Sequence, residues 1–237
     1  MKRLDLLVSM LFRCAMDQNV FDFALARKYM VESQVRPNQV TDPRILAAMG
    51  RLPRERFVPP DRAAVAYSDA AVPLGAGRAL IAPMELARLI QLARPVAGER
   101  ALVVASGTGY GAAVLADCGA AVTALEDDPR LLAIARAVLA AATPAVAIVE
   151  GPLAAGWPAG APWDIVLLEG AVEEIPVAIV GQLSLETGRI VTVLRPGPGL
   201  GQIVLGRPSG RGLAIGTFFD CAAPLLPSLR PAPAFTF

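Results

Sequence analysis

Residues 98–112 read Gly-Glu-Arg-Ala-Leu-Val-Val-Ala-Ser-Gly-Thr-Gly-Tyr-Gly-Ala. An apolar run, Ala101 to Val104, is cut by Ser106-Gly107-Thr108-Gly109, and Tyr110 to Ala116 continues as a helix. A short apolar run between turn residues fits a strand buried on both faces of a parallel sheet. Glycines allow a sharp turn and the close approach of a ligand, beside the free N–H groups of a helix start. Strand, glycine turn and helix together are the nucleotide-binding entrance of a doubly wound α/β sheet.

Composition narrows the function. The net charge is +1 with basic and acidic residues mixed, so no basic block marks nucleic acid as a partner. More than half of the 237 residues are hydrophobic, enough for a sizeable core of mostly aliphatic side chains. The chain has no histidine, which excludes a Ser-His-Asp triad, a Cys-His dyad and histidine-based metal sites. Cys14, Cys118 and Cys221 are far apart and odd in number, which points to thiols in a reducing, cytoplasmic compartment and not to a disulfide or zinc framework. Met1 to Ala15 faintly resembles a secretory signal, but Asp5 interrupts it, no small-x-small cleavage site follows, and it is too short to span a bilayer. No membrane association is expected, and residues 1–20 read as a loose extension.

Residues 21–80 read as a helical cap that ends in a loop. Phe21 to Val35 has helical spacing, and Thr41 or Asp42 caps a second helix with Pro43 in its first turn. No strand is expected before residue 80; Val72 to Arg78 reads as a glycine-rich loop. The helix after Pro83 buries Leu86, Leu89 and Ile90 and turns Glu85 and Arg88 outward. Residues 81–220 form the α/β unit. Its later strands are expected at Ala121–Leu125, Val146–Val149, Trp163–Leu168 and Gly188–Leu194, with an antiparallel pair around Pro208-Ser209-Gly210. Helices are expected at Pro129–Ala142, capped by Asp127 or Asp128, and at Pro176–Leu183. Residues 221–237 read as an irregular Pro-rich tail.

Ligands of open α/β sheets sit outside the carboxyl ends of the strands. Four successive ends carry Ser106-Gly107-Thr108-Gly109, Glu126, Glu150-Gly151 and Glu169-Gly170. Glu126 follows Gly107 by 19 residues, a spacing that suits an acid accepting hydrogen bonds from ribose hydroxyls. Gly107-x-Gly109-x-x-Ala112 also satisfies the dinucleotide pattern, so NAD competes as the ligand. The shortage of proton donors, with no histidine and only Lys2 and Lys28, weighs against hydride transfer.

The order of further motifs resembles the protein-L-isoaspartate O-methyltransferase family. Tyr67-Ser68-Asp69, Val72 to Gly77, Ile81-Ala82-Pro83 and Arg100 to Tyr110 carry the resemblance. So do Glu126, Glu150-Gly151, Gly156-Trp157-Pro158, Pro162-Trp163-Asp164 and Gly188 to Val191, over about Arg27 to Leu205. The resemblance implies S-adenosylmethionine at Ser106, Gly107, Thr108 and Gly109, with Glu126 on the ribose, Glu150-Gly151 near the adenine and Glu169 nearby. It implies methylation of isoaspartyl carboxylates in damaged protein or peptide substrates, a repair step, with Asp69, Ile81, Ala82 and Pro83 on the substrate side. Two departures stand out. Val103 and Ala105 replace an acid and a glycine before the glycine turn, and Ile81 replaces the substrate-site serine. Glu169 also adds negative charge where an anionic substrate is expected. An altered acceptor, or a catalytically weak binding or scaffold protein, is the alternative these departures raise.

Overall fold

The computed structural model describes residues 21–210 and 212–230. The expected extension at 1–20, Cys14, and residues 231–237 of the expected tail lie outside them.

The chain opens with α1 (Phe23–Tyr29), capped by the Asp22 carboxylate, which accepts the Leu25 N–H. The expected single helix to Val35 instead loosens into a π-turn over Met30–Val35 and a 3-10 turn over Arg36–Asn38. Gln39 leaves that turn in the left-handed conformation at φ 64°. For α2 (Pro43–Arg51) the cap is Asp42, whose carboxylate accepts the Arg44 N–H at 2.9 Å. Its Ile45, Leu46 and Met49 are buried as their spacing predicts.

The expectation of no strand before residue 80 is overturned. β1 (Val72–Gly75) and β2 (Arg78–Leu80) form an antiparallel hairpin. Ala76 and Gly77 join the strands with φ of 50° and 74°, the two positive values of a type I′ turn. Each strand is too short for its alternation to be seen, and Pro73 masks the first.

Beyond α3 (Pro83–Ala93), seven strands form one sheet: β3 (Arg100–Val104), β4 (Ala121–Glu126), β5 (Ala147–Glu150), β6 (Ile165–Val172), β7 (Arg189–Leu194), β8 (Gly201–Ser209) and β9 (Gly212–Cys221). Their order is β5-β4-β3-β6-β7-β8-β9, parallel through β7 and antiparallel for the last two pairs. The order reverses at β3, so the carboxyl ends of β3 and β6 flank the topological switch point. One sheet face buries Ala101, Val103, Ala124, Ile165 and Leu167 in a core shared with α3, α4 (Tyr110–Asp117), α5 (Pro129–Ala142) and the N-terminal helices. The other buries Leu102, Val104, Leu125, Val166 and Leu168 against Leu153, Trp163 and Ile179. Asp128, not Asp127, caps α5.

Three further expectations change. The helix expected at Pro176–Leu183 shrinks to α6 (Val177–Val180). Glu85 is buried, because the chain leaving β9 crosses α3 and the Glu85 carboxylate accepts the Ala222 N–H at 3.1 Å. Arg88 does not simply face water: its guanidinium lies over the Phe219 ring, 4.1 Å from the centroid. In the expected tail, Ala223, Leu226 and Leu229 are buried.

Candidate active site

The site is built at the carboxyl ends of β3, β4, β5 and β6. Ala105 leaves β3 at φ 58°, followed by Gly107 at 57° and Gly109 at 94°. These alternating left-handed residues turn the chain from strand to helix and leave α4 capped by Gly109 without a side-chain cap. Leu74 of the hairpin covers the turn: a Cβ on Gly107 would meet its methyl group at 3.4 Å. The Thr108 hydroxyl donates to the Phe57 carbonyl at 2.5 Å, tying the turn to the N-terminal cap.

Glu126 and Glu150 stand side by side as register partners at the ends of β4 and β5. Their environments differ sharply. Glu150 is exposed, with Arg136 at 3.6 Å, and Gly151 donates its N–H to the Glu126 carbonyl at 3.2 Å. The Glu126 side chain is 0% exposed. Its Oε2 accepts the Gly107 N–H at 2.7 Å, and its Oε1 accepts the N–H groups of Asp127 and Asp128 at 3.0 and 3.1 Å. Arg78 completes the set with a bidentate fork, Nη1 to Oε1 at 2.7 Å and Nη2 to Oε2 at 2.9 Å. A second bond from Nη2 to the Ala105 carbonyl, at 3.0 Å, pins the guanidinium over the turn.

Glu169 departs from its expected place at a loop start. β6 continues to Val172 and is buried along its whole length, because Ala171 and Val172 keep pairing with β7 past an irregularity. Ala171 also exchanges backbone bonds with Pro224 and Leu226. Glu169 shares the sheet face of Val103 and Leu167 and lies against Gly111 of α4. Burial pushes its carboxyl up to about 8, even though Arg54 and Arg78 nearby favour the charged form. Burial thus favours the neutral form of this acid over the charge that the sequence reading placed beside an anionic substrate.

Arg54 and Arg78 were not singled out by the sequence. Arg54 lies in the 3-10 turn Arg54–Phe57, where residues three apart share a side, and both it and Phe57 are 0% exposed. Its guanidinium donates to the carbonyls of Ala66 (2.7 Å) and Ile81 (2.6 Å) and stacks 4.8 Å from the Tyr110 ring centroid. Full burial lowers its pKa from the ordinary arginine value. Nothing in Arg-Glu-Arg distinguishes it from the exposed Arg56 except the three-residue interval to Phe57.

On the expected substrate side, Ile81, Ala82 and Pro83 are buried where β2 meets α3, while Asp69 lies in an exposed bend. Among the described residues, Arg54 Nη1, Arg78 Nε, Ser106 Oγ, Tyr110 Oη and Glu169 Oε2 are buried without a hydrogen-bond partner. Native interiors rarely leave such groups unpaired, and three of these side chains pack close together, Arg54 over Tyr110 and Glu169 against Gly111.

The sheet order, the glycine turn at the switch point and the acids on the neighbouring strand ends define a Rossmann-like α/β protein of the class I methyltransferase architecture. A solved protein-L-isoaspartate O-methyltransferase shares this fold with a TM-score of 0.73 at 21% identity, covering 86% of this chain and 67% of that one. A second, from Plasmodium falciparum in complex with S-adenosyl-L-homocysteine, gives 0.69 at 18% identity over 87% and 98%. The family model described as Protein-L-isoaspartate(D-aspartate) O-methyltransferase (PCMT) matches residues 26–200, and the chain belongs to that family. A Methylorubrum populi relative named protein-L-isoaspartate O-methyltransferase is 43% identical over 180 residues, 76% of this chain and 84% of its own. One of the same name from Methanoculleus marisnigri is 34% identical over 201 residues, 84% and 91% of the two chains. Membership decides against the nicotinamide reading that glycine spacing alone left open.

Proposed function

We propose that this chain is an S-adenosylmethionine-dependent protein carboxyl O-methyltransferase that methylates the side-exposed carboxylate of isoaspartyl residues. The observation that carries this reading is the pairing of Glu126 and Glu150 on adjacent strand ends beside the Gly107–Gly109 turn, in a chain of this family.

The residues present fit the cofactor. Gly107 and Gly109, left-handed at φ 57° and 94°, fold the tight turn with Leu74 and Leu139 packed against them, and Ser106 Oγ offers an unpaired buried hydroxyl. Glu126 takes the ribose hydroxyls, and Glu150 with Gly151 borders the adenine. When bound, S-adenosylmethionine supplies a methyl group already activated on a sulfonium, so an ionised carboxylate needs no base to accept it.

The protein's task is then positioning, which suits a chain without histidine. Asp69, Ile81, Ala82 and Pro83 form the acceptor side. Arg54, held beneath Ile81 by the bond to its carbonyl, is a fixed buried cation near that side. Glu169, buried against Gly111 with its neutral form favoured, brings less negative charge to the neighbourhood of an anionic acceptor than an exposed acid would. The substrate is a protein or peptide segment. Among the described residues no helix is long and apolar enough to cross a membrane.

The test is methyl transfer from S-adenosylmethionine to a synthetic isoaspartyl peptide and to its ordinary aspartyl isomer. Base-labile methyl ester on the isoaspartyl peptide alone supports the reading. Equal labelling of both peptides, or of neither, contradicts it.

A further inference from the structure

Arg78 stands where an incoming nucleoside has to bind. Its guanidinium spans both oxygens of Glu126, and the three backbone N–H groups of Gly107, Asp127 and Asp128 occupy the remaining acceptor directions. A ribose diol binds a carboxylate with the same two-pronged geometry as an arginine fork, so the two compete for one group. The Arg78 and Glu126 side chains are 5% and 0% exposed, so this is a buried pair and not a surface contact.

The same hairpin blocks the other half of the turn. Leu74 on β1 sits against Gly107 while Arg78 on β2 sits against Glu126, and only the Ala76-Gly77 turn separates the strands. An alternative partner for Arg78 is already within reach. Asp127 Oδ1 lies 3.5 Å from Nη1, and its side chain is 30% exposed, on the solvent side of the pair.

We propose that Arg78 is an internal competitor that determines cofactor affinity: its fork holds Glu126 closed and transfers to Asp127 when a ribose takes the carboxylate. The inference rests on the cofactor reading above. A site that is competent only in a minor fraction of molecules binds with its affinity reduced by that fraction. Removing the competitor therefore tightens binding without adding any contact to the ligand.

The experiment is calorimetric titration of the full chain with S-adenosyl-L-homocysteine, using the unsubstituted protein, Arg78→Gln, Asp127→Asn and the double variant. Arg78→Gln is expected to bind about tenfold more tightly, the gain for a latch closed in nine molecules of ten. Asp127→Asn is expected to weaken binding severalfold alone and to have no effect once Arg78 is gone. Arg78→Gln binding equal to or weaker than the unsubstituted protein overturns the proposal, as does an Asp127→Asn effect that survives in the double variant. If Arg78→Gln does not fold, Arg78→Lys keeps the charge without the fork, and binding no tighter than the unsubstituted protein overturns the proposal. If neither the unsubstituted protein nor a folded Arg78 variant binds at millimolar ligand, the cofactor reading itself fails and the latch falls with it.

Discussion

The Glu169 carboxyl group lies directly against the backbone of Gly111: a Cβ on Gly111 would stand 2.8 Å from Cδ and closer still to Oε2. One acid on β6 and one glycine in the first turn of α4 thus fix the helix over the switch point. Gly111→Ala is expected to destabilise the protein by about 1–3 kcal/mol, the usual consequence of overpacking. Chemical denaturation checks this. Because the two residues touch, the cost should shrink when Glu169 is shortened to Ser, a non-additivity that distant sites do not show.

Glu169 also makes stability depend on pH. Burial disfavours the charged form and pushes its folded-state carboxyl up to about 8, above the ordinary 4.5. Between those values the native state keeps a proton that the unfolded chain has released. Stability therefore falls as pH rises through that window and levels off above it. Glu169→Gln, which cannot ionise, is expected to lose this slope and to melt at a higher temperature than the unsubstituted protein at pH 9. Parallel pH profiles for the two proteins would contradict the assignment.

Ala105 occupies a position built for glycine. At φ 58° an L-residue bears a steric penalty of about 1–2 kcal/mol, partly offset by the greater chain entropy that glycine loses. Ala105→Gly is expected to stabilise the fold by about 0.5–1 kcal/mol, read from the denaturation midpoint. Its carbonyl, which accepts from Arg78, is retained.

Ile81 sets stability against acceptor binding. It is 1% exposed in the core shared by the cap and the sheet, so Ile81→Ser is expected to cost about 2–4 kcal/mol. The same change, combined with Ala79→Thr, returns a hydroxyl to the acceptor side and is expected to raise kcat/KM on an isoaspartyl peptide. Steady-state kinetics with a melting curve on one preparation separate the two effects. A stability loss with no kinetic gain would show that Ile81 is not what limits this member.

The sheet was legible because its strands carry simple signals. Ala101 to Val104 is an apolar run ahead of the Gly107 turn, and Ala121 to Leu125 is apolar apart from Thr123 and ends at Glu126; parallel buried strands need little else. The helix starts at Asp42-Pro43 and Asp128-Pro129 were equally plain, since cap and first-turn proline are local chemistry. What escaped is set by tertiary contact. The hairpin of Val72 to Leu80 has strands of only four and three residues and turns on Ala-Gly, not on the usual Asn-Gly or Asp-Gly signal.

The same division holds at the site. Glu126 was found by its distance from Gly107, but its partner Arg78 comes from a hairpin 48 residues earlier in the chain. No local pattern connects the two. Glu169 was found as an acid near a strand end, yet its burial, which raises its carboxyl pKa against the pull of Arg54, follows from the continuation of β6 beneath α4 and exists only in the folded molecule. Arg54 itself looks like any surface arginine until the 3-10 turn places it beside Phe57.

The most direct measurement is a crystal structure of the full chain with S-adenosyl-L-homocysteine. The account predicts the ribose hydroxyls on Glu126, the adenine beside Glu150 and Gly151, and the Arg78 guanidinium moved to Asp127. A ligand bound elsewhere, or bound with the Arg78–Glu126 fork intact, would contradict it.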